Sequence, residues 1–125
     1  MSETFLAIVD DLFFLSKIQQ TAKLLGVRVE MVTPGKLAER AAQIPIRGVI
    51  LDLNYRSGSA LDTLRVIKAD AKLGTTLVVG FLSHVQTDLA AAAREAGCDL
   101  VLARSTFSQK LPELLRDLVG RAQET

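Results

Sequence analysis

A three-layer α/β sandwich, with a parallel sheet between two layers of helices, is the fold class this sequence predicts. Three observations predict it. Short aliphatic and β-branched runs alternate with segments of helical period along the whole chain. Most of those short runs are apolar at successive positions, the pattern of strands buried on both faces of a parallel sheet. The length of 125 residues, 49% of them hydrophobic, suffices for one core that needs no disulfide or structural metal.

The strand candidates are 5–9 (FLAIV), 27–32 (VRVEMV), 48–53 (GVILDL), 76–82 (TLVVGFL) and 99–103 (DLVLA). The second carries Arg28 and Glu30 and reads as an edge. Between them lie helices. In the first, Phe14, Ile18, Ala22 and Leu25 follow at steps of four, four and three and make a core-facing stripe, which Gly26 stops. A short second helix, about 35–43, closes before Pro45. The third buries Ala60, Leu64, Ile67 and Ala71; the fourth uses Leu89, Ala92, Ala93 and Ala96, with Gly97 as its stop. The last uses Leu111, Leu114, Leu115, Leu118 and Ala122. Right-handed crossovers then favour a flavodoxin-like sheet of order 2-1-3-4-5 with five helices.

Composition narrows the function. One cysteine, Cys98, cannot form an internal bridge, and it reads as a core residue. With His84 as the one histidine, zinc sites built on CxxC or HExxH sets are excluded. A net charge of +1 with no basic cluster removes the electrostatic case for nucleic acid. The start MSETFLAIVDD resembles neither a secretory signal nor a membrane span. A single cytoplasmic domain over residues 1–125, without an output domain, is the expectation.

In a sheet of this order, ligands sit at the carboxyl ends of the strands, beside the switch point between strands one and three. Strand one ends in Asp10 and Asp11, and strand three runs into Asp52. Three carboxylates converging on one crevice repel one another unless something compensates them, and a hard divalent cation such as magnesium is the natural partner. Each aspartate also has a plainer use as a cap or turn residue. Strand four ends at Ser83, either a helix cap or a hydroxyl donor to a ligand. Strand five ends at Arg104, either a solvated ion pair or a contact for phosphate. Phe13 lies off the buried stripe of the first helix with Leu24 in line beneath it, which marks an exposed apolar edge.

These strand ends resemble those of response-regulator receiver domains of the chemotaxis type, over essentially the whole chain. IVDD matches the acidic pair, LDLN the phospho-acceptor and its loop, Ser83 the family's Ser or Thr, and AGCDLVLAR the run into strand five. The resemblance implies Asp52 as acceptor, magnesium on Asp11, Asp52 and the backbone carbonyl of Asn54 with Asp10 supporting it through water, and Ser83 and Arg104 on the phosphoryl oxygens. It also implies a sensor kinase or phosphotransfer protein as donor and a downstream protein as target, in a two-component phosphorelay. Self-phosphorylation and self-dephosphorylation would be its only catalysis, and a homodimer is compatible with it. The chain departs from the family at Arg104, where Lys is usual, at Ser105 for Pro, at Val101 for an aromatic, and at His84 for a small residue. The loop YRSGSA also lacks the usual Met-Pro. These departures support the alternative of a phosphorylation-independent pseudo-receiver. A phosphohydrolase would want an acid where Asn54 stands, and no glycine-rich phosphate loop follows strand one.

Overall fold

The computed structural model describes residues 4–56, 58–83 and 86–124, with side chains in the last helix described as far as Asp117. Five parallel strands form one sheet: β1 (Thr4–Ile8), β2 (Arg28–Met31), β3 (Gly48–Asp52), β4 (Leu77–Leu82) and β5 (Leu100–Ala103). Their order is β2-β1-β3-β4-β5, as the sequence predicts. The helices are α1 (Leu12–Leu24), α2 (Leu37–Gln43), α3 (Ala60–Ala69), α4 (Thr87–Glu95) and α5 (Arg104–Glu124). Among the described residues, no helix is long and apolar enough to cross a membrane.

Alternation along the strands divides the core in two. Leu6, Ile8, Val49, Leu51, Val78 and Leu82 face α2, α3 and α4, where they meet Leu37, Leu64, Ile67 and Ala93. Phe5, Ala7, Ile50, Val79 and Phe81 face the other way, onto Phe14 and Ile18 of α1 and Phe107, Leu111 and Leu115 of α5. Each such large apolar side chain stabilises the fold by about 2 kcal/mol on burial. The half-exposed strands are the two at the edges, β2 and β5. At the centre of β4, Gly80 leaves room for its neighbours: a Cβ there would stand 3.0 Å from both Cys98 Sγ and Leu53 Cδ1.

Local chemistry sets the helix limits. Asp11 caps α1, and Gly26, at φ +74°, supplies the left-handed residue that ends it. Leu25, expected on the buried stripe, is the C-cap and only half-buried; Leu15 is buried instead. The expected second helix divides into a 3-10 turn over Pro34–Lys36 and α2. The third helix is shorter than its apolar period suggested, and Ala71 is exposed. The Asp70 carboxylate accepts the Lys72 and Leu73 N–H groups at 2.8 and 2.9 Å, which turns the chain and delivers Leu73 to the core place expected of Ala71. Leu118 and Ala122 of the expected last stripe lie outside the described side chains.

Candidate functional site

The switch point follows from the layers. The chain leaves β1 for α1 on one face of the sheet and leaves β3 for α3 on the other, so a cleft opens between the two strand ends. Asp10, Asp11, Asp52, Asn54, Arg56, Ser83 and Arg104 line it. The cleft thus brings together every residue to which the sequence assigned a site role.

Asp52, the last residue of β3, is 3% exposed and pairs in register with Phe81 of β4. Its Oδ1 accepts the Asn54 N–H at 2.9 Å, and its Oδ2 lies 3.4 Å from Arg104 Nη2. Burial pushes its carboxyl above the ordinary range; the Asn54 N–H and Arg104 pull it down, and Asp10 and Asp11 push it further up. Asp11 has two uses at once. Oδ1 accepts from Phe13 and Phe14 N–H at 3.0 and 3.1 Å as the α1 cap, and Oδ2 stands 3.5 Å from Arg104 Nη1. Asp10 accepts the backbone N–H of Arg56 through Oδ2, which joins the loop after β1 to the loop after β3.

Asn54 ties a third loop to these. Its Oδ1 accepts the Ser83 N–H at 3.0 Å and its Nδ2 donates to Gln86 Oε1 at 2.6 Å. The sequence offered only its backbone carbonyl as a ligand; the tie made by its side chain was not visible there. Arg104 is the first residue of α5, reached from β5 without an intervening loop. Its guanidinium lies over the rings of Phe14 and Phe81, at 5.2 and 5.5 Å from their centroids. Those rings are 4.7 Å apart, and Phe107 stacks on Phe81 at 4.8 Å. The sequence placed Phe14 on the core stripe but gave no sign that an aromatic floor would carry a cation.

The remaining candidates fall as follows. Phe13 and Leu24 are each 87% exposed, as the helical wheel indicated. Cys98 is buried, and burial pushes its thiol up to about 11. Val101 is half-buried, and His84 lies outside the described residues.

No family model matches the chain, and no curated protein sequence does. Solved structures do. The chemotaxis response regulator CheY4 of Vibrio cholerae superimposes with a TM-score of 0.81 at 13% identity, covering 94% of this chain and 99% of that one. A CheY-like response regulator receiver domain protein from Methanospirillum hungatei gives 0.83 at 14% identity, covering 99% and 98%. The receiver domain of a putative Luxo repressor protein from Vibrio parahaemolyticus gives 0.81 at 20%, covering 98% and 94%. With five strands in the same order and near-complete mutual coverage, this chain has the fold of the response-regulator receiver domains.

Proposed function

We propose that this chain is a receiver-type signalling module of the cytoplasm, which takes a phosphoryl group on Asp52 from a sensor kinase or phosphotransfer protein and acts on a downstream protein by contact. One observation carries the reading. Asp52 stands at the switch point with one carboxylate oxygen held by the Asn54 N–H and the other turned to Arg104 in the cleft. In the reaction, Asp52 Oδ2 attacks phosphorus, and the bond from phosphorus to the donor breaks with its electron pair leaving on the donor atom. Arg104 and the Ser83 hydroxyl meet the charge on the phosphoryl oxygens. Hydrolysis by water reverses the modification.

The magnesium ion that the resemblance implies asks Asp11, Asp52 and the Asn54 carbonyl to face one point, with Asp10 behind a water. Oxygen donors of this kind suit a hard divalent cation. Their arrangement does not. Asp10 is turned to the Arg56 N–H, and Asp11 and Asp52 are both engaged by Arg104. Among the described residues, no three acidic, histidine or cysteine side chains form a metal-holding group. No step is therefore routed through the ion.

The test is intact mass after incubation with acetyl phosphate, with and without magnesium. A gain of one phosphoryl group that Asp52→Asn abolishes is the expected result; an unmodified protein, or equal labelling of the variant, rejects it. A second reading, a phosphorylation-independent interaction module, is favoured by the way Arg104 ties up the acceptor, and an unmodified protein would select it.

A further inference from the structure

The misfit between the acidic cleft and a divalent cation has a structural cause in the first residue of α5. We infer that Arg104 is the tethered counter-ion of this pocket, holding the place between Asp11 and Asp52 that a bound divalent cation would need.

The geometry is that of a bridge. One guanidinium nitrogen faces Asp11 at 3.5 Å and the other faces Asp52 at 3.4 Å, so a single planar cation spans the two carboxylates. A lysine ammonium gathers its three donors on one nitrogen and cannot face the two carboxylates with two separate nitrogens. The plane rests on Phe14 and Phe81, and a guanidinium, being weakly hydrated, tolerates that apolar floor better than an ammonium does.

Two unfavourable features show that the placement is held against a cost. Arg104 stands in the first turn of α5, where the helix dipole disfavours a cation, and that turn holds no acidic residue of its own. Its Nε is buried and, among the described residues, has no hydrogen-bond partner. The attraction that offsets both comes from Asp11 and Asp52. Because β5 passes directly into α5, the Arg104 backbone stands at the rim of the cleft, within side-chain reach of both acids.

A titration of the full chain with magnesium chloride, matched in ionic strength by sodium chloride, tests this. The midpoint of thermal unfolding of the wild type should not move. Arg104→Gln should open the site: one site of about 1 mM affinity, at about 10 mM magnesium, raises the midpoint by about 5 °C in a domain of this length. Manganese should then show line broadening in spin resonance with Arg104→Gln and not with the wild type. If Arg104→Gln does not fold, Arg104→Lys serves, since it keeps the charge but not the bridge, and should bind manganese more tightly than the wild type. Magnesium stabilisation of the wild type overturns the inference, and so does a folded variant that binds no better than wild type. The inference stands on the pocket under either functional reading. Absence of label on Asp52 sinks phosphoryl acceptance alone, whereas metal binding by the wild type sinks the tethered counter-ion alone.

Discussion

Truncating Phe81 to Leu separates the role of the aromatic floor in the core from its role beneath Arg104. Phe81 is fully buried, with one ring neighbour at 4.7 Å and another at 4.8 Å. Each ring pair contributes about 0.5–1.5 kcal/mol beyond area burial. The cation above it adds about 0.5–1 kcal/mol, at the low end because the Arg104 side chain is 39% exposed. With the small cavity that Leu leaves, the loss comes to about 3 kcal/mol, or about 10 °C in the unfolding midpoint. A large loss alone would show only that Phe81 is core. The discriminating quantity is the coupling energy from urea denaturation of Phe81→Leu, Arg104→Gln and the double variant, expected at about 0.5–1 kcal/mol. Leu111→Ala, in the same core cluster but two helical turns from Arg104, should lose stability on a similar scale with coupling below about 0.3 kcal/mol. Equal coupling at Phe81 and Leu111 would refute a specific support of the guanidinium by that ring.

Other expectations follow from the same contacts. Burial chiefly, with Asp10 and Asp11 adding to it, raises the Asp52 carboxyl despite the Asn54 N–H and Arg104, so urea denaturation at neutral pH should find Asp52→Asn more stable by about 1 kcal/mol, and a clear loss would contradict this. Arg40 holds the Glu30 carboxyl below its usual range through a hydrogen bond, chiefly, and through its charge. A depressed carboxyl stabilises the fold above its unfolded pKa and loses that effect as pH falls through the folded one; the gap between wild type and Glu30→Gln in melts from pH 7 to 3 should therefore close at the acid end. With its thiol at about 11, Cys98 should react with an aromatic disulfide reagent at neutral pH only after urea unfolding; rapid stoichiometric reaction of the native protein would contradict its burial. Asn54→Ala frees Gln86, so amide exchange in the first turn of α4 should quicken by about tenfold, a loss of about 1.4 kcal/mol of local protection. Unchanged exchange there would disconnect the cleft from α4.

The sheet was legible because its signal is local and repeated. All the strands but the edge strand β2 are apolar runs, and sheet order follows from crossover handedness once five alternating units are seen. The acids were legible for a related reason: a residue at a strand end stays there whatever the side chains around it do. What could not be read was where each polar group points. Asp70 shows this within the fold, since its capping bonds end α3 early and put Leu73 where periodicity put Ala71. Arg104 shows it in the site. Charge and position suggested a phosphate contact, but the span from Asp11 to Asp52 depends on rings from α1 and β4 that are remote in sequence. Two of the three carboxylates read as metal ligands thus face a cation supplied from within the chain.

The same ties determine where a change in charge at Asp52 is felt. On β5, Val101 has no ring to turn and its β-branched side chain is stiff. The bonded connections run the other way. Asp52 Oδ1 accepts the Asn54 N–H, the Asn54 amide holds the Ser83 N–H and the Gln86 side chain, and Gln86 is the N-cap residue just before α4. The Gln86 side chain makes no capping bond to α4 and accepts from Asn54 instead. A ligand shifts a conformational equilibrium only through different affinities for two states. At this pocket the two states would differ in whether Asp52 keeps Asn54, and with it Gln86, in place. The modification proposed for Asp52 would weaken its hold on the Asn54 N–H, whereas Arg104 helps fix the carboxylate that makes it. Under the proposed function, the start of α4, rather than the face of β5, is therefore where modification of Asp52 should be felt.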